Sequence, residues 1–146
     1  MDVILDSGRP VLVLPYAGDF AEVGKHPLIA WNDAREAARA YNDSLPLIEG
    51  CDEAMVLSFA AQREAGESSC IAVTRQLADH GITARAEVLM VDDFGIMDML
   101  LNRVTDRGAD LLVMGAHGHI GYPFISRGAG TRYILRHMTV PVLMSN

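Results

Sequence analysis

Two short runs in the C-terminal third of the chain carry the residue types best suited to holding a ligand. These are Gly115-Ala116-His117-Gly118 and, nine residues further on, Gly128-Ala129-Gly130-Thr131. The first closes the apolar run Leu111-Leu112-Val113-Met114, which reads as a strand, and the second opens an amphipathic stretch to His137, which reads as a helix. Backbone in that position lies outside the carboxyl end of a strand, where open α/β sheets bind ligands. Glycine has no Cβ, so the main chain can approach a ligand closely. A helix start adds unpaired N–H groups and the positive end of a dipole, and both favour a phosphate. Thr131 offers a hydroxyl donor, and Arg127 or Arg132 a charge. The same glycines equally serve a tight turn at Gly115 and Gly118 and clearance for a helix at Gly128 and Gly130. No Gly-Lys-Ser/Thr follows, so the segment is not a P-loop, and the dinucleotide fingerprint lacks its third glycine.

Other residues with chemistry to offer are less well arranged. His117 and His119 form only half of a metal site, because no cysteine or carboxylate is close to them in sequence. Trp31 ends an apolar run and can wall a purine pocket or simply fill the core, and Met114 stands at the mouth of a strand, where it can touch a base. Asp92 and Asp93 stand where the following helix needs an N-cap. Cys70 falls near a helix start, yet no second cysteine is close enough in sequence to resolve it. There is no Gly-x-Ser-x-Gly elbow and no His-Glu-x-x-His motif, so the sequence assembles no catalytic set.

The elements that must position these residues follow from the alternation of apolar runs with amphipathic stretches. Strands are expected at Pro27–Trp31, Ala54–Phe59, Thr83–Val91, within Ala109–Ala116 and at Val140–Ser145. A helix capped by Asn32 or Asp33, with Asp33 and Glu36 at capping-box spacing, buries Ala34, Ala37, Ala38, Tyr41, Leu45 and Ile48. Gln62–Glu67 reads as a polar loop, followed by helices at Ser69–His80, up to Gly108 and at Gly128–His137. This βα alternation is the pattern of a parallel sheet covered by helices. The 146 residues suffice for one such domain. Twelve basic against nineteen acidic residues give a net charge of −7, which disfavours nucleic acid and anionic membranes as partners. The absence of a basic leader or a long apolar run, with only Cys51 and Cys70 as cysteines, is what a cytoplasmic protein would have.

The pattern Gly115-x-x-Gly118, nine residues, then Gly128 and a small residue resembles the phosphate cradle of the universal stress protein (UspA) family's ATP-binding branch. Arg132 to Met144 is similar to that family's fourth helix and last strand, and Trp31 to Ala40 to its first βα turn. The resemblance spans 25–146, the expected domain. Residues 1–24 read as a stub, because Ile4 to Val13 repeats the character of Ile134 to Met144. The whole resembles the C-terminal half of a tandem member. The implied fold is a single doubly wound, Rossmann-like or flavodoxin-like parallel α/β sheet of order 3-2-1-4-5, here with an extra N-terminal strand.

The resemblance further implies an ATP-binding stress-response sensor or regulator acting as a homodimer, with ATP held with or without Mg2+. The base would lie near Ala30, Trp31, Asn32, Leu57 and Met114, and the phosphates on Gly115, Gly118, Gly128, Ala129, Gly130 and Thr131, with His117 beside them. Two positions depart from the family pattern: Asn32 replaces an acidic residue, and Ala129 replaces a hydroxyl residue. The alternatives are a dimeric interaction module of the same family that has lost the nucleotide and, behind it, a slow ATP hydrolase. The strand Pro10 to Leu14 is expected to cap the edge of the last strand, with Val11 and Val13, or Leu12 and Leu14, turned inward.

Overall fold

The computed structural model describes residues 2–60, 62–90, 95–116 and 128–146. Its elements are α1 (Asp2–Asp6), β1 (Val11–Val13), β2 (Pro27–Trp31), α2 (Arg35–Ile48), β3 (Ala54–Ala60) and α3 (Arg63–Asp79). They continue as β4 (Ala84–Met90), α4 (Ile96–Asp106), β5 (Leu111–Gly115), α5 (Ala129–His137) and β6 (Val142–Ser145). The strands form one sheet in the order β1-β6-β5-β2-β3-β4, in which β2 to β6 are parallel and β1 alone is antiparallel. Counting from β2, the parallel part has the expected order 3-2-1-4-5.

Both faces of the sheet are covered, and the side-chain alternation of the strands sorts the core into two layers. Ile29, Val56, Leu111, Val113 and Leu143 meet Tyr41 and Ile48 of α2 and Val73 and Leu77 of α3. Leu28, Leu57, Leu112, Met114, Val142 and Met144 meet Leu100 and Val104 of α4 and Ile134 of α5. Strands buried on both sides read as continuous apolar runs, which is why Leu111–Met114 stood out in the sequence.

Three expectations are corrected by local packing. Gln62–Glu67 is not a loop, because α3 starts at Arg63 and runs through Gly66. Gly66 tolerates helix here for a steric reason: a Cβ on it would lie 2.8 Å from Val88 Cγ1 and 2.9 Å from the Ala60 Cβ. The helix therefore packs unusually close to β3 and β4, and that demand is invisible in a local reading. The cap of α2 is Ala34 and not Asn32 or Asp33, and it makes no side-chain cap bond, so the capping box does not form. The residue capping α4 is Gly95, while Asp92 and Asp93 lie outside the described residues.

The stub is an integral part of the sheet. β1 pairs with β6 in the register Val11↔Met144, Leu12↔Leu143 and Val13↔Val142. Val11 and Val13 pack on the α4/α5 layer, whereas Leu12 and Leu14 are 40% and 58% exposed. Ile4 of α1 is buried in the same layer. The linker returns to β2 under the hold of Asp110, whose carboxylate accepts hydrogen bonds from the backbone N–H of Gly24, Lys25 and His26 at 2.9–3.2 Å. The outer edge of β6 is thus closed by the chain's own N-terminal segment.

Candidate functional site

β2 and β5 are neighbours in the sheet, but the chain leaves them in opposite directions, through α2 to β3 and through α5 to β6. A crevice opens between such strands at their carboxyl ends. Here it is a narrow cleft of about 70 Å3. One wall is apolar, built from Ala30, Phe59, Met97, Leu100 and Met114. The other combines the end of β2 (Trp31, Asn32), the start of α2 (Ala34, Glu36, Ala37), Gly115, and the first turn of α5 (Gly130, Thr131).

The first turn of α5 borders this region through Gly130 and Thr131, and Gly128 supplies the left-handed bend before it, with φ +86°. Thr131 is buried there. The opposing helix, α2, comes very close to the end of β5. A Cβ on Gly115 would lie 2.7 Å from the backbone N of Ala37, from the carbonyl carbon of Glu36 and from the Glu36 Cβ. In the structure as it stands, α2 therefore demands this glycine. The same approach brings in the Glu36 side chain, which is only 12% exposed and whose carboxylate lies 3.8 Å from Arg35.

The turn between β2 and α2 is fixed by side chains. Asn32 Oδ1 accepts from the Ala34 N–H at 3.1 Å. Trp31 Nε1–H donates to Ser69 Oγ at 2.5 Å, and the Ser69 hydroxyl donates to Asp33 Oδ1 at 2.5 Å. Asp33 is the residue that takes the left-handed conformation, φ +61°, within this turn. The Trp31 ring also meets Tyr41 edge-on, with centroids 6.3 Å apart. Trp31 consequently serves both as core and as a wall of the cleft. On the flank, the Tyr133 hydroxyl donates to Asp98, joining α5 to α4, and that bond to a carboxylate raises the phenol's pKa.

Of the residues singled out in the sequence, Ala30, Trp31, Asn32, Met114, Gly115, Gly130 and Thr131 come together in the cleft. Gly128 and Ala129 stand at the cap and first residue of α5, beside the lining rather than in it. Leu57 is fully buried, and its place at the cleft is taken by Phe59. Leu57 pairs with Ala30, inside the sheet, and the residue two further on occupies the same face nearer the mouth. His117 and Gly118 lie outside the described residues. The sequence reading missed Phe59, Ala34, Glu36, Ala37, Met97 and Leu100. In the sequence Glu36 is legible only as a helix-start residue and Ala34 and Ala37 only as the buried face of that helix, and nothing marks Met97 or Leu100 for the cleft.

Cys70 is buried and burial pushes its thiol's pKa up, against a hydrogen bond with Ser58 that lowers it, so the thiolate is disfavoured. Among the described residues no three His, Cys, Asp or Glu side chains gather to hold a metal ion. No helix among them is long and apolar enough to cross a membrane.

The sequence model of the universal stress protein family matches residues 17–146. No curated protein matches the chain. A universal stress protein from Archaeoglobus fulgidus DSM 4304 is similar in structure with a TM-score of 0.75 and 16% identity, over 99% of this chain and 53% of that one. That coverage takes in α1 and β1. A family member from Arabidopsis thaliana with AMP bound gives 0.62 and 17%, over 83% of this chain and 90% of that one. A universal stress protein in complex with cAMP gives 0.64 and 14%, over 84% and 96%. At such identities the likeness is one of fold.

Proposed function

The chain belongs to the universal stress protein family, and on that premise we propose that it binds an adenine nucleotide, ATP, in the β2/β5 cleft and acts as a cytoplasmic stress-response sensor or regulator. The observation that carries this reading is the convergence of an apolar wall and a helix N-terminus on one crevice. Ala30, Phe59 and Met114 suit the face of a base, and the first turn of α5 suits an anion. Family members that hold AMP and cAMP support the choice of ligand class. Ala30, Trp31, Asn32 and Met114 would hold the base, with Gly115, Gly128, Ala129, Gly130 and Thr131 around the phosphates and His117 and Gly118 completing the loop.

The fit is good for the base and incomplete for the phosphates. Ala129 offers no hydroxyl, Glu36 brings a carboxylate, and the cleft is smaller than the roughly 300 Å3 or more of ordinary small-molecule sites. Binding therefore requires the first turn of α2 to move away from Gly115. Those same features favour a second reading, an interaction module of the family that no longer uses nucleotide. Assembly is part of both readings. Because β1 already covers β6, a homodimer cannot join two β6 edges directly while β1 is in place, and the outer edge of β1, or exchange of β1 between copies, would bring these ends together.

Mass spectrometry of small molecules released from freshly purified protein separates the readings. ATP or ADP at near-stoichiometric amounts is the expected result. Its absence, together with no binding of added ATP at millimolar concentration, transfers the case to the interaction module. Ala129→Ser, which adds one donor at the helix start, should tighten ATP binding. Release of ADP from ATP and magnesium would move the protein to the hydrolases.

A further inference from the structure

Arg9, Arg35 and Arg39 line one groove that shares no lining residue with the nucleotide cleft, together with Asp43, Ser145 and Asn146. The antiparallel register that puts Val11 opposite Met144 brings Arg9 alongside Asn146. Arg35 and Arg39 are one helical turn apart on α2, so they share a face. In a chain of net charge −7, three guanidinium groups gathered around about 170 Å3 of open volume are a local reversal of sign.

These charges are poorly neutralised from within. Other arginines are closely matched, as in Arg85 with Glu53, and Arg103 and Arg107 with Glu87, at 3.0–3.1 Å. Arg9 and Arg39 have no ion-pair partner among the described residues. Arg35 reaches only Glu36, at 3.8 Å. Asp43, the one acidic side chain lining the groove, has Oδ2 engaged by the Ser145 hydroxyl at 2.7 Å. Arg9 and Arg39 thus remain as two guanidinium groups without an ion-pair partner among the described residues. A second, independent feature points to a ligand: Asn146 Oδ1 is buried without a hydrogen-bond partner. A buried acceptor left in that state calls for a donor.

We propose that this groove binds a phosphate dianion, as inorganic phosphate or as a small phosphate monoester. Its oxygens match the planar forks of the arginines, its charge suits the two guanidinium groups that have no ion pair, and a P–OH or a neighbouring hydroxyl supplies the donor that Asn146 Oδ1 lacks. Arg9 comes from the stub, whereas Arg35 and Arg39 come from α2. The bound anion therefore clasps the N-terminal segment onto the domain, and phosphate strengthens the closing of the β6 edge.

The test is titration of the full chain with inorganic phosphate, and separately with glycerol phosphate, in chloride buffers of matched ionic strength. Calorimetry gives affinity, and amide hydrogen exchange follows residues 2–14. Phosphate should bind saturably and slow exchange across α1 and β1. Arg9→Gln and Arg39→Gln should each weaken binding about tenfold or more, as expected for loss of one charge-assisted contact. Arg39→Lys should restore part of the affinity. All three side chains are at the surface, and a melting curve checks that each variant folds. A tighter affinity for glycerol phosphate identifies the monoester as the natural source, and equal or weaker affinity identifies free phosphate. No saturable binding at 10 mM, or binding that survives in the Arg9→Gln and Arg39→Gln proteins, overturns the proposal.

Discussion

Replacing Gly115 by alanine should destabilise the protein although it adds only one methyl group. Gly115 has no positive φ that alanine would resist, so the effect is one of space. The new Cβ would lie 2.7 Å from three atoms of Glu36 and Ala37, about 0.7 Å inside the ordinary limit of contact near 3.4 Å. Two of those atoms are backbone of α2, so no rotamer change relieves the contact and the helix must move as a body. Overpacking of this kind costs about 1–3 kcal/mol. For a chain of this length that is a fall in Tm of about 3–10 °C. Urea or thermal unfolding measures it, with Gly50→Ala as the control, because a Cβ there meets nothing within 4 Å. The control should change stability by less than about 0.5 kcal/mol. A Gly115→Ala protein as stable as the parent would refute the close approach of α2 to β5.

Three further outcomes follow from the same contacts. Glu36→Gln removes the carboxylate from the cleft and should tighten ATP binding about three- to tenfold in calorimetry, since it lifts a like-charge repulsion; unchanged affinity would place the phosphates away from α2. Burial raises the pKa of Cys51 and Cys70 above their ordinary 9.0 and that of Tyr41 above 10.0. The unfolded chain then loses these protons first, so their contribution to stability is complete below pH 9 and is lost as pH rises through the folded-state values, which a series of melts from pH 8 to 11 would record. Deleting residues 1–18 uncovers the β6 edge and removes the buried Ile4, and should lower solubility or raise the mass seen by light scattering; a truncated protein of unchanged mass, solubility and melting temperature would reduce the stub to an ornament.

Where local chemistry decides the structure, the sequence was readable. Pro27–Trp31 and Leu111–Met114 appear as strands because a strand buried on both faces needs an unbroken apolar run, and Gly81 and Gly108 end helices because both adopt left-handed backbone. β1 was legible as a strand through the likeness of Ile4–Val13 to Ile134–Met144, and its pairing with β6 followed from the need to cover an open edge. What escaped depends on distant contacts. Gly66 looks like a loop residue until Val88 and Ala60 are seen against it. Asp33 looks like a cap until Ser69, thirty-six residues away, claims its carboxylate. The replacement of Leu57 by Phe59 at the cleft is a matter of how far each strand extends, which the apolar pattern of one strand does not reveal. The arginine groove was equally hidden, since Arg9 meets Arg35 and Arg39 only once β1 is in place.

The proposed nucleotide site is the β2/β5 cleft. Trp31 is the only tryptophan in the chain and lines that cleft, so its fluorescence reports on the site directly. Titration with ATP should change the Trp31 emission saturably at or below millimolar concentration, and Gly118→Val, a branched residue at a position proposed to hold the phosphates, should abolish the change. An emission that stays constant through millimolar ATP, with no heat of binding, would contradict the account.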